Sequence, residues 1–164
     1  MVINGDALLL AQPIKNMLRS KMTEHGVSYG LAEVGYDIRI KQDVSFYMAQ
    51  PDSLPVVTVG GKHARGRFCI ASVIEEFDMP KDLMAIVHDK STWARRGLSV
   101  FNTVIEPGWR GFLTLELVYH GQQELHIPAG SGIAQVVFHE LACEASYRGK
   151  YQDQADEPVE ARLL

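Results

Sequence analysis

The sequence is short of several features that would place it quickly. It has two cysteines, Cys69 and Cys143, too few for a disulfide framework, and both read as buried thiols on strands. It has no apolar run long enough to span a bilayer. Its start, M-V-I-N-G-D-A-L-L-L, lacks a basic region and a small-residue cleavage site. Neither a membrane segment nor a leader is therefore expected, which points to the cytoplasm. Positive charge is not in excess: the net charge is −4, so no basic field for nucleic acid is expected. The six histidines, His25, His63, His88, His120, His126 and His139, have no ligand-type spacing and read as surface or packed side chains. The zinc pattern H-x-E with P-C-x-x-C is absent, as are G-x-x-x-x-G-K-[ST], G-x-G-x-x-G and G-x-S-x-G. There is no internal repeat and no low-complexity tract.

What is present is a chain of 164 residues, 46% hydrophobic, which suffices for one domain with a real core. The domain is expected to span residues 1–164. Residues from Asp6 to Met22 read as a helix, with Leu8, Leu9, Ile14, Met17, Leu18 and Met22 on one face and Pro13 starting or kinking it. After Gly26 the pattern changes to short alternating runs: Val34–Ile40, Val44–Met48, Val56–Val59, Arg67–Ser72, Leu83–Val87, Phe112–Tyr119, Glu124–Ile127 and Ile133–His139. Gly and Pro punctuate them, as at Pro51, Asp52, Pro55, Gly60 and Gly61, in Met79-Pro80-Lys81-Asp82, and in Pro128-Ala129-Gly130. The expected architecture is mainly β, a barrel or sandwich with one N-terminal helix. From Ala145 the chain turns polar and aperiodic, yet it carries Tyr147, Lys150, Tyr151 and Gln154. Tyrosines are unusual in a frayed tail, so a segment that orders over a ligand is the sharper expectation.

The chemistry concentrates between Asp89 and Leu117. Lys90, Ser91 and Thr92 precede Arg95 and Arg96, an arrangement that serves as a turn cap or as donors to phosphate. Glu106-Pro107-Gly108-Trp109 forms a tight turn with an aromatic, which is either core or a wall for a sugar or base. On the strand Leu113-Thr114-Leu115-Glu116-Leu117, the leucines face one side and Thr114 and Glu116 the other. Periodicity leaves open whether that other side meets solvent or a pocket. In a pocket, partial desolvation would raise the Glu116 pKa and suit it to move protons near neutrality.

These residues resemble a known family. K-S-T-W-A-R-R-G-L, V-I-E-P-G-W-R-G and L-T-L-E-L look like the central motifs of the dCTP deaminases, in the dUTPase-like superfamily. Ser28–Ile40 is similar to the family's S-Y-G-x-x-x-x-G-Y-D-x-R segment, Gly130–Phe138 to its Ala-Gln strand, and Tyr147–Gln154 to its closing C-terminal segment. The resemblance runs from about residue 28 to 154, in the family's order.

The resemblance implies a distorted β-barrel of the β-clip type, and a homotrimer with sites between neighbouring subunits. It implies hydrolysis of dCTP to dUTP and ammonia, feeding dUMP and dTTP synthesis, without zinc and with Mg²⁺ carried by the triphosphate. Glu116, Ser91 and Arg95 are then the expected catalytic residues: Glu116 as proton shuttle, Ser91 holding the water, Arg95 fixing the carboxylate. Lys90, Ser91, Thr92, Thr103, Glu106, Trp109, Tyr147, Lys150 and Gln154 are the expected substrate contacts, with residues 145–164 closing over the site. The loop at Thr103 corresponds to one implicated in feedback inhibition by dTTP. Two alternatives stand beside this reading: a dUTPase or bifunctional deaminase–diphosphatase, and a non-catalytic nucleotide sensor. The first is disfavoured by Glu106, which stands where a dUTPase turn needs Asp.

Overall fold

The alternating runs seen in the sequence become fourteen strands, β1–β14, in the computed structural model, which describes residues 1–48 and 54–163. The expected loop residues Pro51 and Asp52 lie outside that description. In chain order the elements are β1 (Val2–Ile3), α1 (Gly5–Ala11), β2 (Lys21–Glu24), β3 (Val27–Leu31), β4 (Tyr36–Arg39) and β5 (Val44–Tyr47). Then come β6 (Val56–Val59), β7 (Lys62–Arg65), β8 (Phe68–Asp78), β9 (Leu83–Asp89) and the single-turn α2 (Ser91–Ala94). The chain continues with β10 (Leu98–Val100), β11 (Val104–Ile105), β12 (Arg110–Tyr119), β13 (Leu125–Ile127) and β14 (Gly132–Glu140).

The strands form three antiparallel sheets. One runs β11-β9-β14-β4-β3-β2 with β1 added on β14; a second runs β10-β12-β8; a third runs β13-β5-β6-β7. They wrap a common core in which Ile38, Phe46, Phe77, Leu115, Leu117 and Phe138 are almost fully buried. The result is mainly β and distorted rather than a single closed barrel, as expected from the sequence.

The N-terminal helix is much shorter than the periodicity predicts. It stops at Ala11 because Gln12 turns left-handed (φ 46°) and closes the helix through its N–H to Leu8 O. Pro13 has no N–H with which to continue. Beyond it the chain runs against the end of β8: Asp78 N–H donates to Pro13 O and Lys15 N–H to Glu76 O, both at 2.9 Å. Leu8 and Ile14 still reach the core, one from the helix and one from the bridge that pairs Ile14 with Phe77. Lys21 to Met22, expected as the helix end, is strand β2.

β8 also runs farther than predicted, past Ser72 to Asp78. Glu75 and Glu76 break the apolar pattern in sequence, but Glu75 is buried because Arg39 meets it. Arg39 Nε donates to Glu75 Oε1, and Arg39 N–H to Oε2, each at 2.8 Å. Burial pushes the Glu75 carboxyl upward while Arg39 pulls it back. Cys69 is buried as expected, its thiol pushed up to about 12 by burial; Cys143 is exposed in a turn after β14, contrary to expectation.

Candidate active site

β12 carries the site. Along it, burial alternates without a break: Leu115 and Leu117 enter the core, and Thr114 and Glu116 point to the other side. A register shift between Phe112 and Thr114 re-aims the strand just before these two residues. That other side is a cavity of about 390 Å³, roomy enough for a nucleoside. Glu116 and Thr114 line it with Thr103, Glu106, Trp109 and Ile70 of the same chain.

Glu116 is half-buried, and its Oε2 has no hydrogen-bond partner among the described residues. Burial raises its pKa, with an opposing contribution from its own backbone hydrogen bond. A buried, unpartnered carboxylate oxygen facing a cavity costs stability, and such groups concentrate where chemistry needs them.

The C-terminal segment forms the opposite wall. Tyr147, Tyr151, Gln154 and residues 159–161 all line the cavity. The segment is held by a ladder against the Glu106–Phe112 turn and strand: Tyr147 N–H donates to Pro107 O at 2.8 Å, Trp109 Nε1 to Tyr151 O at 2.7 Å, and Phe112 N–H to Gln154 O at 3.1 Å. Gly111 (φ 130°) pairs in parallel with Gln154, and a Cβ there would stand 2.5 Å from the Gln154 nitrogen. Only glycine allows this approach. Lys41 pairs with Asp156 and fixes the segment farther along.

Of the expected residues, Glu116, Thr103, Glu106, Trp109, Tyr147 and Gln154 come together at the cavity. Ser91, Thr92 and Arg95 do not line it; they are exposed, the first two on α2 and Arg95 just after it. Lys90 is turned inward, its ammonium held by Ser28 Oγ at 3.0 Å and by the buried Asp37 carboxylate. Lys150 lies in the C-terminal segment but bonds to Arg162 O and rests 5.4 Å from the centre of the Tyr151 ring. Asp89 spends its carboxylate within the fold, accepting from Val100 N–H at 2.7 Å. Trp93 is a core residue, donating to Gly132 O at 2.6 Å. Sequence reasoning singled out Tyr151 in the C-terminal segment without naming it as a contact, and it missed Val159 and the place of Thr114 in the cavity wall, although the shared face of Thr114 and Glu116 was visible in the alternation. Three glutamates, Glu106, Glu116 and Glu160, line the cavity and among the described residues no Lys or Arg does, so these side chains offer a triphosphate little attraction there. Among the described residues no three His, Cys, Asp or Glu side chains are grouped to hold a metal ion.

The fold is similar to that of two solved structures. The EIAV dUTPase superposes with a TM-score of 0.52 at 14% identity, covering 85% of this chain and 92% of that one. The 2′-deoxycytidine 5′-triphosphate deaminase of Agrobacterium tumefaciens superposes with a TM-score of 0.56 at 16% identity, covering 85% of this chain and 48% of the other. Sequence narrows the class: residues 11–141 match the dCTP deaminase-like family. The dCTP deaminase of Campylobacter hominis is 35% identical over 176 aligned positions, covering 94% of this chain and 93% of that protein. The chain belongs to the dCTP deaminase-like family.

Proposed function

We propose that the protein deaminates dCTP to dUTP and ammonia, with Glu116 as the proton shuttle. The observation that carries this reading is the unpartnered Glu116 oxygen in the cavity of a chain from this family. Water adds to C4 of cytosine as Glu116 takes its proton and passes it to N3. Glu116 then takes the proton of the C4 hydroxyl and gives it to the exocyclic nitrogen, the C4–N bond breaks, and ammonia leaves while C4 becomes a carbonyl. Glu116 ends as it began. The pKa, raised by burial, supports this cycle, because a carboxyl that holds its proton more firmly than an ordinary one is the better acceptor of the water proton.

Ser91, Thr92 and Arg95 are proposed to complete the site from a neighbouring subunit of a homotrimer, Ser91 holding the water and Arg95 steadying the carboxylate. Their exposure on and just after α2 supports this, as does an apolar rim beside the cavity formed by Phe68, Phe101 and Val104, each about half exposed. Lys90 acts in this reading by positioning α2 from its ion pair, rather than by reaching phosphate. Mg²⁺ is proposed to arrive on the triphosphate, and water activation to need no zinc. A feedback role for dTTP through the Thr103 loop and a cytoplasmic location belong to the same reading; among the described residues no helix is long and apolar enough to cross a membrane.

The test is a product assay with dCTP and Mg²⁺ in zinc-free, EDTA-treated buffer. The expected products are dUTP and ammonia. dUMP with pyrophosphate would establish the bifunctional enzyme, and no product from any deoxycytidine or deoxyuridine triphosphate would establish the sensor.

A further inference from the structure

Tyr151 and Gln152 meet the turn that carries Trp109 through three hydrogen bonds. The Gln152 carboxamide spans the two peptide groups on either side of Trp109. Its Nε2 donates to Gly108 O at 2.9 Å, and its Oε1 accepts from Arg110 N–H at 3.0 Å. A backbone N–H only donates and a carbonyl only accepts, so the amide has one orientation here and both of its ends are used. The third bond runs from Trp109 Nε1 to Tyr151 O, at 2.7 Å. That carbonyl belongs to the Tyr151–Gln152 peptide, so the clasp made by the Gln152 side chain also holds the acceptor for the indole. Trp109 packs on Phe77, with ring centroids 6.1 Å apart, and is buried. It lines the cavity, whereas Gln152 does not.

We propose that Gln152 is a positioning residue for nucleotide binding, which sets the orientation of the Trp109 wall from outside the cavity. The proposal rests on the deaminase reading above. A buried indole N–H needs an acceptor, and here the acceptor is a backbone carbonyl of the C-terminal segment. Without the clasp, the Tyr151–Gln152 peptide is free to shift against the turn, and the indole follows its acceptor or loses it. Contacts with a ring weaken steeply over a fraction of an ångström, so a turned wall holds a ligand less well. Trp109 therefore takes its place in the cavity only when residues 151 and 152 are seated on the turn. The two glutamines of the segment divide the work: Gln154 bonds to β12 through Phe112 O and Thr114 Oγ1, and Gln152 bonds to the turn before it. Beside the clasp lies a plain tether, the ion pair of Arg110 with Asp153 at 3.0 Å, in which both side chains are more than half exposed.

The experiment compares Gln152→Met, Gln152→Glu and Asp153→Asn with the parent protein, all in the Glu116→Gln background. Each is read by tryptophan emission without nucleotide and by calorimetric binding of dCTP. Methionine keeps the length of the side chain and makes neither bond; glutamate keeps the acceptor for Arg110 N–H but sets an oxygen against Gly108 O. Asp153→Asn breaks the exposed ion pair and leaves the clasp intact. The chain has two tryptophans, and Trp93 is buried in the core with its Nε1 on Gly132 O, so a change in emission reports Trp109. The expected result is a red-shifted emission and an affinity for dCTP lowered about tenfold in both Gln152 variants, as two hydrogen bonds are lost. Asp153→Asn is expected to show neither change. Unchanged affinity in Gln152→Met would overturn the proposal. Weakened binding with unshifted emission, or an equal loss in Asp153→Asn, would also overturn it and leave Gln152 as a tether of the segment. The deaminase reading is decided separately, by whether the protein with Glu116 intact forms dUTP; the emission measurement needs no nucleotide.

Discussion

Glu116 is the residue at which burial and chemistry pull together. Burial raises its pKa, and the deaminase cycle needs it ionised when water attacks. The acidic limb of kcat/KM is therefore expected above the ordinary carboxylate range, with activity falling as pH drops through that raised value; a pH–rate profile checks this. The same shift has a stability consequence. A carboxyl whose folded-state pKa lies above its unfolded value favours folding at low pH, and that contribution is lost as pH rises through the folded value. Glu116→Gln is thus expected to raise Tm modestly at neutral pH while cutting turnover by about 10²–10⁴-fold with nucleotide affinity largely kept. Thermal melts and steady-state kinetics on one preparation check both halves. At Lys90 the balance is different: its buried pair with Asp37 cannot lose one partner cheaply, so Lys90→Met is expected to destabilise the fold by about 3–5 kcal/mol, measured by urea unfolding.

Among the elements, β12 and the C-terminal segment act as a pair. β12 supplies the acid, and the segment lies on it through Gly111 and Gln154. Gly111→Ala puts a Cβ against the Gln154 backbone in a backbone conformation that alanine adopts poorly. The expected outcome is a rise of about tenfold in KM for dCTP, as one or two hydrogen bonds of the ladder are lost, with faster amide exchange across 147–154. Truncation after Ser146 is expected to weaken dCTP binding further; unchanged affinity would reduce the segment to packing. α1 teaches the opposite lesson. Its apolar positions continue the helical period through Met22, yet Gln12, Pro13 and the backbone pairing with β8 end it at Ala11. Tertiary hydrogen bonds to Asp78 and Glu76 outweighed a helical pattern interrupted by proline.

For the molecule as a whole, the decisive feature is that the acid and the α2 donors do not meet within one chain. The cavity holds three glutamates, while Ser91, Thr92 and Arg95 face outward. If neighbouring subunits share each site, two dead variants complement one another. Glu116→Gln and Arg95→Ala chains, unfolded and refolded together, are expected to recover up to about one quarter of wild-type activity, since that share of randomly assembled two-chain sites is intact. Sites contained within one chain would recover none. Sedimentation of the mixture would establish the trimer directly.

The sequence by itself determined what is local. Alternation along Leu113–Leu117 put Glu116 and Thr114 on one face, Gly and Pro marked most strand ends, and the order of motifs identified the family. It also singled out the Tyr-bearing C-terminal segment as one that orders. Only the tertiary structure decided which partners those residues meet, because the partners lie far along the chain. Glu75 is buried because Arg39, 36 residues away, meets it; Lys90 is spoken for by Asp37, 53 away; and Thr114 Oγ1 accepts from Gln154, 40 away. A period of two says which way a side chain points, and the burial of a charge depends on what waits there to satisfy it.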